Sequence, residues 1–242
     1  MFEKIAVIWS GHWQMYLGQG LTITLGLSAM TVLFGTVIGA LIALLKMSKI
    51  PPLRWIATIY IEVIRGTPML LQLMLFSFVL PSGFIMGGFG WIYKIVLIFN
   101  PDYADYAFIK FMSVSVALIL NSSAYVSEII RSGIQAVDRG QSEAARSLGL
   151  NGTQTMTRIV IPQAIRNILP ALGNEFVMVI KETSLASTFF IGDIMTVYNV
   201  VRGKTYLVIE PLLIAAAIYF VVCFILSKLI SVWERRLNRG ER

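Results

Sequence analysis

Ionisable side chains sit inside otherwise apolar runs of this chain: Glu62 and Arg65 in one, Glu128 in a second, Glu175 and Lys181 in a third. Such groups are costly in a bilayer, and where they persist they pair with one another or serve a transport path. Arg65 and Glu175 are the opposite charges needed to hold the carboxylate and ammonium of a zwitterion in a low-dielectric pocket. The plainer alternatives are a direct Arg65–Glu175 ion pair, or a pair between Arg65 and Glu62 one helical turn earlier. Gln72 continues the face of Arg65. Pro68 between them frees a backbone carbonyl in the turn before it, and broken helices present polar backbone at mid-membrane in this way. In the second run Asn121, Tyr125 and Glu128 recur at i, i+4 and i+7, a polar stripe along one helix face. Glu128 can equally pair with Arg131. Lys181, Thr183 and Ser184 close the third run as candidate lining or gate residues. Met69, Met74 and Met178 read as packing. Enzyme chemistry has little to work with. His12 is the single histidine and no Gly-x-Ser-x-Gly element occurs, so the runs hold no Ser/His or metal constellation. Cys223 is the only cysteine, which leaves neither a disulfide framework nor a thiolate metal site.

The elements that position these groups follow from composition. The chain has 242 residues, 57% hydrophobic and 14% charged, where a soluble domain carries roughly 25% charged residues. It reads as an all-α integral membrane protein. A span takes about 20 apolar residues, so residues 1–242 form a single transmembrane domain of helices, with no soluble domain or linker. The formal charge of +7 points to the cytoplasmic face of a membrane rather than to nucleic acid, because Lys and Arg gather in cytoplasmic loops.

Phe2, Ile5, Ile8, Trp9 and Trp13 recur at helical spacing, so residues 1–16 are expected as an interfacial helix with tryptophans at headgroup level. No removable leader is expected. Five spans are expected, over Leu17–Leu45, Trp55–Leu80, Phe108–Ile130, Ile159–Ile180 and Tyr206–Val232. Gly35 and Gly39 in the first span fit a small-xxx-small packing pattern. The apolar stretch at 84–99, within residues 82–107, is short, glycine-containing and carries Lys94; it is expected as an external re-entrant or interfacial segment. With five spans, one side collects Lys46, Lys49, Arg54, Arg131, Arg139, Arg146, Arg158, Arg166, Lys228 and the arginines of the C-terminal tail. The other holds Lys4, Lys94, Lys110, Arg202 and Lys204. The N-terminus is then outside and the C-terminus inside.

On the basic side, residues 138–162 form a polar loop between two spans. Asp138 or Ser142 can cap a short helix with Glu143 in its first turn, and Gly149 stands where a left-handed C-cap would end it. Asn151-Gly152 is a turn signal, Thr153 can cap the next helix, and Pro162 disturbs it. A short helix on a stiff bend, projecting from the membrane, is the expected shape.

Glu143-Ala144-Ala145, three residues, Gly149, nine residues, then Ile159-Val160-Ile161-Pro162 resembles the "EAA" coupling loop of ATP-binding-cassette importer permeases. It departs only in Ile161, where leucine is usual. Further segments extend the resemblance over nearly all of the chain: Gly20-Leu-Thr-Ile-Thr-Leu25, Glu62-Val-Ile-Arg-Gly-Thr-Pro68, Ser123-Ala-Tyr-Val-Ser-Glu-Ile-Ile-Arg-Ser-Gly-Ile134 and Lys181-Glu-Thr-Ser-Leu185. This set is similar to the permeases of the histidine, glutamine, arginine and glutamate uptake group, which are type I importers.

The resemblance implies a five-helix core in a bacterial cytoplasmic (inner) membrane, paired with a second permease subunit, identical or related. It also implies a cytoplasmic ATPase dimer, an external substrate-binding protein and a polar amino acid as substrate. Glu143, Ala144, Ala145, Gly149 and Pro162 would couple the channel to the ATPase. No Walker-type Gly-x4-Gly-Lys-Ser/Thr occurs, so the permease would be non-catalytic and without a cofactor of its own, ATP and Mg belonging to the partner. An ion-gradient-driven secondary transporter is the alternative; it would require internal repeats and a coupling-ion site, and no repeat is found.

Overall fold

The computed structural model describes residues 1–80, 82–99 and 104–237, and every regular element among them is helical. In chain order the helices are α1 (Phe2–Gln14), α2 (Leu21–Lys46), α3 (Pro51–Arg65), α4 (Met69–Val79), α5 (Ser82–Phe99) and α6 (Asp105–Gln135). They are followed by α7 (Arg139–Ser147), α8 (Gly152–Thr155), α9 (Ile161–Glu182), α10 (Ile194–Thr205) and α11 (Ile209–Leu237). Among the described residues three helical stretches are long and apolar enough to cross a membrane: Phe2–Lys46, Asp105–Gln135 and Ile209–Arg236. The number rises to five if the bent pair α3–α4 and the bent pair formed by Gly152–Phe189 with α10 each count as one.

The helix expected at residues 1–16 forms, and it does not stop there. α1 continues through a π turn at Met15–Gly20 into α2, one helix of 45 residues. At 1.5 Å per residue that is about 68 Å of helix, more than twice the ~30 Å hydrocarbon layer, so only part of it can cross. Ile8 and Tyr16 pack with Ile194, Val197 and Val201 of α10 and Ile214, Ala215 and Ile218 of α11.

The second expected span, Trp55–Leu80, is two helices meeting at 106°. Pro68 is the cause: it cannot donate to the turn before it, and it stands extended at φ −62° and ψ 138° as the residue preceding α4. α3 lies against α6, where the Tyr60 hydroxyl donates 2.8 Å to the Leu120 carbonyl. Its other face, with Trp55, Ile56, Ile59 and Val63, is exposed.

Small residues set the core. A Cβ on Gly39 would stand 2.9 Å from Val126, so α2 reaches the backbone of α6 only because that position lacks a side chain. The small-xxx-small pattern of the sequence is thus the α2–α6 seam. Along it Gly35 meets Ser122, Gly39 meets Val126 and Lys46 meets Glu128, so α2 and α6 run parallel. α9 runs antiparallel to both, with Ala164 and Ile168 beside Gly133 and Glu175 beside Ser122. The 84–99 stretch is helix α5, packed on α6 through Ile85, Tyr93, Phe108 and Met112. Its 17-residue apolar part, Ser82–Ile98, is shorter than the three long stretches. The connection expected before the last span is itself helical, a 3-10 turn at Thr183–Phe189 followed by α10.

Candidate functional site

The polar loop builds a compact lever from its own backbone. Asp138 caps α7 by accepting the Gly140 N–H at 2.6 Å, which sets Glu143 in the second turn rather than the expected first. Glu143 and Ala144 face outward, while Ala145 is buried. Gly149 is left-handed at φ +86°. Its N–H donates to the Arg146 carbonyl at 2.9 Å, and Leu150 N–H to the Ala145 carbonyl at 3.1 Å. These two bonds are the Schellman arrangement that satisfies the last carbonyls of a helix. An L-residue at Gly149 would cost about 1–2 kcal/mol in that conformation.

The next helix is capped by Asn151 rather than Thr153. The Asn151 side chain accepts from Gln154 N–H at 2.9 Å, and Gln154 Oε1 accepts from Asn151 N–H at 3.0 Å, a reciprocal capping box. Pro162 disturbs the helix as expected: α8 runs on through a π turn at Met156–Val160, just before Pro162, into α9. Leu148, at the tip of the lever, is 82% exposed.

The α6 stripe of Asn121, Tyr125 and Glu128 faces the broken span. It grips the broken span from both sides of the break. Gln72 and Asn121 are each 3% exposed. The Gln72 amide donates to the Ile64 carbonyl at 2.7 Å and the Thr67 carbonyl at 3.1 Å, and Asn121 Nδ2 donates to Gln72 Oε1 at 3.0 Å. The carbonyls freed by Pro68 are therefore satisfied within the chain, as buried backbone must be. On the other side of the break, the Arg65 guanidinium lies 5.2 Å from the centre of the Tyr125 ring. Arg65 Nη1 stands 3.9 Å from Glu128 Oε2. Glu128 also accepts from Lys46 Nζ at 2.7 Å and from Arg131 Nη2 at 2.7 Å. Among the described residues Arg65 thus pairs with Glu128, not with Glu62 or Glu175, because α3 packs on α6 and ends beside Glu128. The expected Glu128–Arg131 pair forms, with Lys46 added.

Glu175 is buried and accepts from Ser122 Oγ at 2.8 Å, so the structure does not bring Arg65 and Glu175 together. Thr183 and Ser184 spend their hydroxyls on helix carbonyls, Thr183 to Ile180 at 2.7 Å and Ser184 to Lys181 at 2.6 Å. Lys181 is exposed, and with Asn167, Asn174 and Met178 it marks an exposed stripe along α9. Asn174 and Lys181, seven residues apart, share one helix face. The sequence reading set Glu175 against Arg65; a count of helical period along α9 finds the stripe. Polar side chains on a helix of this apolarity face water or protein rather than lipid.

With this geometry, comparison with known proteins is direct. Residues 35–239 match the family described as the binding-protein-dependent transport system inner membrane component, and the chain belongs to that family. It is 39% identical to the arginine transport system permease protein ArtQ of Bacillus subtilis (strain 168), covering 92% of this chain and 93% of that protein. It is 35% identical to the L-cystine transport system permease protein TcyB of the same organism, covering 92% and 87%. Among solved structures, a crystal structure of an amino acid ABC transporter with histidines superposes with a TM-score of 0.78 at 43% identity, over 94% of this chain and 96% of that one. An inward-facing MetNI methionine ABC transporter has the same fold at 12% identity, TM-score 0.67, over 95% and 99%. The fold is that of a type I ATP-binding-cassette importer permease, and the chain is a multi-pass membrane protein.

Proposed function

We propose that this chain is the channel-forming subunit of an ATP-driven importer of polar amino acids, resident in a bacterial inner membrane. The observation that carries the reading is α7: a short helix, preformed by its own caps, with Glu143, Ala144 and Leu148 displayed. A separate cytoplasmic ATPase dimer grips this lever, binds ATP and Mg, and does the hydrolysis. The permease itself is not an enzyme and has no cofactor. A polar amino acid, delivered by an external binding protein, passes along the α9 stripe of Asn174 and Lys181. A second permease subunit, identical or related, completes that path.

Five crossings with the N-terminus outside account for the helix directions. Because α2 and α6 run parallel, the chain between them makes an odd number of crossings; α3–α4 supplies one and α5 returns none. Names of relatives support amino acids as the substrate class, since those proteins are described as arginine and cystine permeases.

The test is reconstitution of the chain with its ATPase and binding protein in proteoliposomes. Uptake of a labelled polar amino acid should require ATP on the α7 side. Gly149→Val should cut both uptake and substrate-stimulated ATPase at least about tenfold, with normal membrane levels. Uptake driven by a proton gradient without the ATPase, or normal coupling in Gly149→Val, would overturn the proposal.

A further inference from the structure

Both sides of the α3–α4 break are held by one face of α6, and the two attachments differ in kind. On the α4 side the hold is a buried, neutral amide network through Gln72 and Asn121. On the α3 side the Tyr60 hydroxyl binds the Leu120 carbonyl, and at the helix end the hold is a charge contact through Arg65, whose side chain is 42% exposed and whose nearest Glu128 oxygen is 3.9 Å away, too far for a hydrogen bond. Glu128 meanwhile holds Lys46 and Arg131 firmly, at 2.7 Å each. The carboxylate therefore has two tight arms and one slack arm, and the slack arm belongs to the last residue of α3.

Glu128 lies about 10 Å of continuous helix from the end of α6, and Asp138, the cap of α7, follows at once. Three cations face this single carboxylate, so a small displacement of the end of α6 changes how they share it. Of the three, Arg65 can tighten or release most easily. Movement at the break is thus expected at Arg65, the end of α3, while Gln72 keeps Ile64 and α4 together.

We propose that Glu128 and Arg65 form the joint through which motion of the α7 lever reaches the broken span, with Glu128 as a positioning residue rather than part of the substrate path. The inference rests on the importer reading given above. Its test uses the complete transporter, with ATPase and binding protein, in lipid nanodiscs. Variants are Arg65→Gln, Glu128→Gln and the two combined; the readout is the factor by which liganded binding protein stimulates ATP hydrolysis.

The joint predicts that each single variant assembles, keeps basal hydrolysis within about twofold, and loses about tenfold of the stimulation. It also predicts that the combined variant is no worse than either alone, because both changes cut one link. Arg65→Lys should recover part of the stimulation. Full stimulation in Arg65→Gln, or losses that multiply in the combined variant, would overturn the joint while leaving the importer reading intact. Should Glu128→Gln fail to assemble, the pair Arg65→Gln and Arg65→Lys still decides: unequal stimulation supports the joint and equal stimulation refutes it. A native chain that gains no ATPase partner would remove the reading and the joint together.

Discussion

At the scale of single residues, the polar groups inside the membrane domain divide by what they satisfy. Gln72 is spent on the carbonyls of Ile64 and Thr67, and its replacement by leucine would remove their amide donor in a half-buried place. The expected cost is about 2–3 kcal/mol, visible as a lowered thermal midpoint of the detergent-purified subunit. Asn121→Leu should act in the same direction, since it strands the Gln72 oxygen. Glu175→Gln is a contrasting case. The amide oxygen can still accept from Ser122, so the midpoint should hardly move. Asn174 and Lys181 lie instead on the exposed stripe of α9. Cysteine placed at either, with Cys223 replaced by serine, should react with a water-soluble thiol reagent when the transporter turns over. Cysteine at Leu41, on the exposed apolar face of α2, should not.

At the scale of elements, the α2–α6 seam depends on closeness that only small residues permit. Gly39→Leu would push four heavy atoms into Val126 and the Ser123 carbonyl; overpacking of this kind costs about 1–3 kcal/mol or more, and low yield of folded subunit would reveal it. Much at this scale was legible in the sequence. The long apolar runs give α2, α6, α9 and α11, and Asp138 and Gly149 give the limits of α7. The break at Pro68 was legible as a break but not as a 106° turn, because a proline fixes its own φ and removes one donor while the angle is set by what the two halves pack on. For the same reason Arg65 was expected beside Glu62 or Glu175: counting along one straight helix places it at mid-depth, and only tertiary contact with Tyr125 and Glu128 relocates it. The stripe Asn121, Tyr125, Glu128 was correctly seen as one face, but periodicity cannot say whether a polar face meets water or another helix. Thr153 lost the cap to Asn151 because the reciprocal bond with Gln154 satisfies two N–H groups instead of one.

At the scale of the whole molecule, the parallel run of α2 and α6 and the reversed run of α9 fix a polarity: α7 at one end, α10 and the start of α11 at the other. Cysteine at Leu148 should therefore be labelled only from the cytoplasmic side of intact cells, and cysteine at the 91% exposed Tyr206 only from outside. Labelling of both from one side would contradict the five-crossing arrangement. The Schellman bonds at Gly149 and the box at Asn151 have a consequence for assembly. Because the lever's shape is complete in the free subunit, capture by a partner groove need not freeze loose backbone, and little of the association free energy goes into ordering. Docking should then behave as the meeting of two rigid bodies, with a rate set by diffusion and orientation rather than by a slow folding phase after contact.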